Sequence, residues 1–167
     1  MILKSSQQKA VTELEKFFGH WKNELLAYGE TAKTLKDVGQ ESIIASITPP
    51  IKKLYETVGE YREFSDMPEA QGVVYPRLCL QVPTGGGKTL LGVEAIRIFK
   101  EKFLEDKKGL VVWIVHSEPI YKQTIQKLQD KTNPYRQILD QIRGNRTLIM
   151  EKTDTLRFQD VNENLVV

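Results

Sequence analysis

The sequence predicts an α/β fold, a parallel sheet with flanking helices, preceded by a helical N-terminal region. Three observations predict it. Residues 110–115 (Leu-Val-Val-Trp-Ile-Val) are apolar at consecutive positions, the pattern of a strand covered on both faces. Shorter apolar runs at 78–82 and 147–150 lie on either side, with helical periodicity between, so strand and helix alternate. Up to about residue 61, apolar side chains instead recur at three- and four-residue steps.

Taken in order, Ser5 or Ser6 can cap a first helix, whose face is Ala10, Val11, Leu14, Phe17, Phe18, Trp21 and Leu25. Gly29 is its expected end. A weaker helical pattern through Leu35, Val38, Ile43, Ile44 and Ile47 is interrupted by Gly39. Pro50 suits the first turn of another helix carrying Ile51, Leu54, Tyr55, Val58 and Tyr61. Residues 65–75, with Pro, Gly and acidic side chains, read as a loop. Beyond residue 77 come the run at 78–82, a helix with Leu90, Leu91, Ala95, Ile96, Phe99 and Phe103, and the strand at 110–115. A helix capped by Ser117 and a strand at 147–150 follow. Residues 164–167 open a further strand as the sequence stops, which is the expectation for a fragment of a longer chain. The domain boundary falls near residue 76, giving a helical region over 1–76 and a partial α/β domain over 77–167.

Composition narrows the class. Of 167 residues, 40% are hydrophobic and 28% charged, enough apolar content for a packed core. No apolar run reaches the ~20 residues of a membrane span, and no secretory apolar segment opens the chain. The lone Cys79 excludes an internal disulfide and a multi-cysteine metal site, and its apolar setting predicts a small buried side chain. These features fit a cytoplasmic protein. A net charge of +2 neither implies nor excludes nucleic acid, because a local patch outweighs the sum.

The strongest chemical signal is Val82-Pro83-Thr84-Gly85-Gly86-Gly87-Lys88-Thr89. A phosphate-binding loop needs glycines so that backbone N–H groups can turn inward and approach phosphate oxygens. The amides of Gly85, Gly86, Gly87, Lys88 and Thr89 are the expected donors, alongside Thr84 in the turn. Lys88 is the expected contact for the β- and γ-phosphates, and the Thr89 hydroxyl the expected Mg²⁺ ligand. The pattern asks for Gly where this chain has Val82, but an apolar run before and a helical pattern after supply the required context.

Pro-Thr-Gly-x-Gly-Lys-Thr, carried here by residues 83–89, resembles superfamily 2 helicases, and further segments resemble the restriction subunit of type III restriction–modification enzymes. The likeness covers 78–167 and, more loosely, the region before it. It implies a P-loop NTPase (RecA-like) motor domain that binds ATP and Mg²⁺ and acts on double-stranded DNA beside a methyltransferase (modification) subunit. Leu3-Lys4-Ser5-Ser6-Gln7-Gln8-Lys9-Ala10 looks like the opening whose glutamine reads adenine. On that match Gln7 is the reader; a solvated glutamine at a helix start is the alternative. Trp113-Ile114-Val115-His116-Ser117-Glu118-Pro119-Ile120-Tyr121-Lys122-Gln123-Thr124 resembles motif Ia, which implies nucleic-acid contacts at Ser117, Lys122 and Gln123. Read without the resemblance, Ser117 is an N-cap and Lys122 a solvated charge. His116 has no second metal ligand nearby in sequence. Segments 133–140 and 149–154 look like linkers near motif Ib, with Arg136, Arg143, Arg146 and Lys152 as possible strand-backbone contacts.

Two departures qualify the match. A helical region separates Gln7 from the loop, where helicases often run quickly from one to the other. No Asp-Glu dipeptide occurs in the chain, so the acidic pair that holds Mg²⁺ and orients water is not among these residues. The chain alone is therefore expected to bind ATP–Mg²⁺ weakly and hydrolyse it negligibly, while a parent protein would be an ATP-hydrolysing helicase or site-specific deoxyribonuclease. A P-loop kinase or other NTPase, and an inactive binding module, remain as alternatives.

Overall fold

The computed structural model describes residues 3–58, 69–70, 73–74 and 78–167. Along the chain these form α1 (Ser5–Asp37), a 3-10 turn (Glu41–Ser46), α2 (Pro50–Val58), β1 (Glu69–Ala70), β2 (Val73–Val74) and α3 (Lys88–Ile98), which runs on as a π-helical turn (Phe99–Leu104). Then follow β3 (Gly109–Leu110), α4 (Glu118–Gln129), α5 (Pro134–Arg143), β4 (Thr147–Leu148), α6 (Phe158–Glu163) and β5 (Leu165–Val166). The chain divides into two compact units, one of Met1–Glu15 with Val82–Val167, the other of Lys16–Gln81.

In the second unit, α1 buries Phe17 and Trp21 and α2 buries Ile51 and Leu54. Gly29 does not end the first helix. α1 continues eight residues past it, and the chain turns instead at Gly39, whose φ of +73° suits a residue without a Cβ. Pro50 opens α2 as expected. Within the stretch read as loop, β1 and β2 pair antiparallel, Glu69 opposite Val74 and Ala70 opposite Val73. Tyr61 and residues 65–68, 71–72 and 75 of that reading lie outside the described residues.

The first unit carries a three-stranded parallel sheet in the order β3-β5-β4, so the last strand in the chain is central. Leu165 faces Gly109 on one side and Thr147 on the other. Hydrogen bonds from Val111 N to Val166 O (2.8 Å) and from Met150 N to Val167 O (2.9 Å) extend the ladders. The strands expected at 147–150 and 164–167 are thus present, though short.

Two expectations fail here. Residues 78–82 form no strand, because no paired backbone lies beside them among the described residues, and Cys79 is exposed rather than buried. Nor is the run at 110–115 covered on both faces. Val111 and Trp113 pack on the core, while Val112 is 71% and Ile114 86% exposed. An uninterrupted apolar run shows that both faces can be buried, and here one of them is.

Helices α3, α4 and α5 close the core with the sheet, through Val93, Leu128, Leu139, Ile142, Leu165 and Val167. Leu139 and Ile142 are fully buried, each contributing about 1.5–3 kcal/mol of transfer free energy. α5 is well delimited. The Asn133 side chain accepts from Tyr135 N at 3.0 Å, Pro134 occupies the first turn, and Gly144 ends the helix at φ +62°. The sequence pattern had assigned neither α5 nor α6.

Candidate nucleotide-binding site

Helix α3 starts at Lys88, directly after the glycine turn, with Gly87 as its N-cap in the left-handed region at φ +87°. Gly85 is left-handed too, at φ +78°. Both conformations favour glycine. Gly86 is required for a different reason. A Cβ there would lie 2.7 Å from Val82 Cγ1 and 3.0 Å from the Pro83 carbonyl oxygen. The turn is therefore wound tightly on itself, and Val82, the departure from the pattern, fills the space against it.

Gly86 N–H donates to Pro83 O at 3.0 Å and so closes the turn. Leu91 N–H donates to Gly87 O at 3.0 Å, the first rung of α3, so the amides of Lys88 and Thr89 stand ahead of the ladder. Gly85 and Gly87 N–H find no acceptor among the described residues. Four of the five expected donors are thus uncommitted, and Gly86 is spent inside the turn. The helix start adds a positive partial charge of about half an elementary charge. Lys88 is exposed and pairs with no carboxylate among the described residues. Thr89 is half-buried at the same end. Uncommitted amides, an unpaired ammonium and a hydroxyl at a helix N-terminus fit a phosphate chain with its magnesium ion.

The first helix reaches this turn. Gln7 is buried, its Oε1 accepts from Lys4 N at 2.9 Å, and its Nε2 donates to Gly86 O at 3.2 Å. A Cβ on Gly87 would collide with that Nε2. The glutamine is therefore clasped to the loop across 79 residues of sequence. Each of its polar atoms retains one further bonding valence. Spacing alone did not reveal this contact.

Helix α3 is seated by Leu90, Leu91 and Val93, all buried, and by Gly92, where an added Cβ would lie 2.8 Å from Trp113 Cη2. A mid-helix glycine was the one available signal for that close approach. Farther along, Glu94 holds Arg97 at 2.7 Å, and Arg97 also reaches Glu101 at 3.0 Å. Lys100 is buried with its ammonium on Lys108 O at 2.6 Å, and burial lowers its pKa against the counteracting charge of Asp106.

The second set of expected residues is more dispersed. Ser117 is the N-cap of α4 but makes no side-chain cap bond, so its hydroxyl is uncommitted among the described residues. Lys122 and Gln123 are exposed one turn on, and Lys122 lies 3.6 Å from Glu118. Consecutive helical positions diverge by about 100°, so Lys122 and Gln123 do not share one face. Arg136 is a correction. Its guanidinium is buried and bonds Asp140 (2.9 Å), Leu128 O (3.1 Å) and Thr147 O (2.8 Å), tying α4, α5 and β4 together, so it cannot meet a strand backbone. Arg146 and Lys152 are exposed, and Arg143 reaches Glu163 O at 3.4 Å.

A cavity of about 370 Å³ opens on the sheet, walled by Val111, Trp113, Met150 and Leu156, and shares no residue with the glycine turn. Its apolar walls do not suit a polyphosphate. On its rim the Tyr121 hydroxyl bonds Glu151, which pushes the phenol up to about 12. No group of three metal-ligating side chains occurs among the described residues, and none of their helices is long and apolar enough to cross a membrane.

No curated protein and no solved structure matches the chain. A family model does, that of the type III restriction enzyme, res subunit, over residues 1–164. That span takes in the Gln7 clasp, the glycine turn and strands β3 and β4, and the chain accordingly belongs to the type III restriction enzyme res subunit family.

Proposed function

We propose that this chain is the ATP-binding N-terminal part of a DNA helicase or translocase motor, the restriction subunit of a type III restriction–modification system. The observation that carries the reading is the turn over residues 83–89. Two left-handed glycines, four uncommitted amides and Lys88 meet there at the start of a helix seated on the core. In this reading Thr84, Gly85, Gly86, Gly87, Lys88 and Thr89 cradle the phosphates, with Lys88 neutralising charge on the outer two. The Thr89 hydroxyl is a ligand of Mg²⁺, which supplies charge neutralisation when bound. Gln7 belongs to the same site through its hold on Gly86 and its spare donor and acceptor. Residues 77–167 are then the partial RecA-like domain, with residues 1–76 as a helical region that carries the glutamine.

Ser117, Lys122 and Gln123 are the proposed contacts to double-stranded DNA. The free Ser117 hydroxyl and the first-turn amides of α4 suit a nucleic-acid phosphate. A modification subunit in the cytoplasm is the proposed partner.

Isothermal titration of the chain with ATP–Mg²⁺ tests the reading. Saturable heat that disappears in Lys88→Ala is expected. Equal heats for the two proteins, or none for either, would overturn it.

A further inference from the structure

The cavity of about 370 Å³ on the sheet falls within the 300–1,000 Å³ range of small-molecule sites. It lies where open parallel sheets hold their ligands, past the carboxyl ends of the strands. Val111 and Trp113 follow β3, Met150 and Glu151 follow β4, and Val167 follows β5. The facing wall is one side of α4, through Tyr121, Thr124, Ile125 and Leu128, which recur at three- and four-residue steps. We propose that this cavity binds a flat, largely apolar organic amine, its ring system between α4 and the sheet and its ammonium at Glu151 and Asp154. No residue is shared with the phosphate turn, so either site can exist without the other.

Inside the cavity, Thr124 is only 7% exposed, yet its hydroxyl makes no hydrogen bond among the described residues. Thr31, Thr34 and Thr57, also in helices, return theirs to the carbonyl four residues back. Among the described residues only the Thr147 hydroxyl is both sealed and unpartnered, so the Thr124 oxygen has open space before it, and the cavity is that space. A buried hydroxyl without a partner is costly, and a polar ring atom of a ligand supplies the missing bond. Trp113 and Met150 offer the polarizable surface on which a flat ring packs.

At the mouth, Glu151 accepts from the Tyr121 hydroxyl and from Gln129 Nε2 at 3.2 Å, and its own N–H donates to Asp154 Oδ2 at 2.7 Å. All three donors are neutral. Neither carboxylate has an ion-pair partner among the described residues, and the exposed Lys152, between them in sequence, pairs with neither. Asp154 Oδ1 accepts no hydrogen bond among the described residues. Two negative charges are thus held in place and left uncompensated beside apolar walls. That favours a cation over a neutral group and a neutral group over an anion.

Isothermal titration with three indole probes of one shape, tryptamine, tryptophol and indolepropionate, reads the charge preference. Tryptamine should bind about tenfold more tightly than the neutral alcohol, the scale by which a charge-assisted hydrogen bond exceeds a neutral one, and the carboxylate should bind more weakly than either. The double variant Glu151→Gln/Asp154→Asn keeps acceptors in place and should bring tryptamine and tryptophol to within about twofold of each other. Thr124→Val should weaken tryptamine about fivefold but leave naphthylethylamine, which lacks the ring N–H, unchanged. Lys88→Ala should alter none of these affinities. Absence of binding by every probe, equal binding of ammonium and carboxylate, or a Thr124→Val variant that binds tryptamine as before would overturn the proposal, whatever the fate of the phosphate site. So would a sedimentation dimer that Leu156→Glu dissociates, which would mark the cavity as a contact between copies of the chain.

Discussion

Replacing Gly87 with alanine places two separable costs on the phosphate turn. The first is conformational. At φ +87° an L-residue sits in the left-handed region, at about 1–2 kcal/mol. The second is steric and falls on Gln7, whose amide nitrogen occupies the space the new methyl needs. Displacing that side chain gives up its bonds to Lys4 N and Gly86 O, worth about 0.5–1.5 kcal/mol each. Gly87→Ala should therefore destabilise the chain by about 2–5 kcal/mol. Gly85→Ala provides the control, since its φ of +78° brings the same backbone cost but its Cβ meets nothing within 4 Å. It should cost only about 1–2 kcal/mol. Urea unfolding followed by tryptophan fluorescence reads both. The double variant Gln7→Ala/Gly87→Ala is decisive, because without Gln7 the collision is gone. Its cost should fall short of the sum of the single changes by about 1–3 kcal/mol, the signature of directly touching residues. Equal costs at Gly85 and Gly87, or strict additivity in the double variant, would refute the claim that Gln7 is packed on the phosphate turn.

Three further outcomes follow from the same physics. Arg136→Met should cost about 3–5 kcal/mol in urea unfolding, because Asp140 and two buried carbonyls lose their donor, and it should leave any DNA binding per folded molecule unchanged. Lys100 has a folded-state pKa below its unfolded 10.5. The unfolded chain thus keeps a proton that the folded chain has released, and stability should rise with pH through that window; unfolding measured against pH should lose this rise in Lys100→Met. The Tyr121 phenol should titrate near 12 by ultraviolet difference absorbance and return toward 10 in Glu151→Gln. Since its folded pKa is raised, Tyr121 lowers stability as pH climbs from 10 to 12, opposite in sign to Lys100.

Local chemistry made part of this protein legible. The turn at 83–89 announces itself because only glycines accept its backbone, and the helix after it follows from spacing. Pro50 and the apolar runs at 147–150 and 164–167 marked real elements for similar reasons. What escaped were long-range facts. Periodicity cannot say that β5 lies between β3 and β4, or that the run at 78–82 lacks a pairing partner among the described residues. Gly29 carried the mark of a helix end, yet α1 runs through it, since one exposed glycine costs a helix only about 1 kcal/mol. Arg136 looked like any solvated charge, although Asp140 four residues later hinted at a partner. The bond from Gln7 to Gly86 spans most of the first half of the chain, and no local pattern encodes it. Family membership says which residues belong to one machine, whereas the coordinates say which of their atoms are still free to act.

The central claim is that main-chain amides of the glycine turn grip a triphosphate, and amide resonances of the labelled chain titrated with ATP–Mg²⁺ test it most directly. The account predicts large shifts at Gly85, Gly87, Lys88 and Thr89, a smaller one at Gly86, whose N–H is already held by Pro83, and loss of all of them in Lys88→Ala. Shifts that leave this turn untouched, or that are centred on the apolar cavity around Trp113 and Met150, would contradict it.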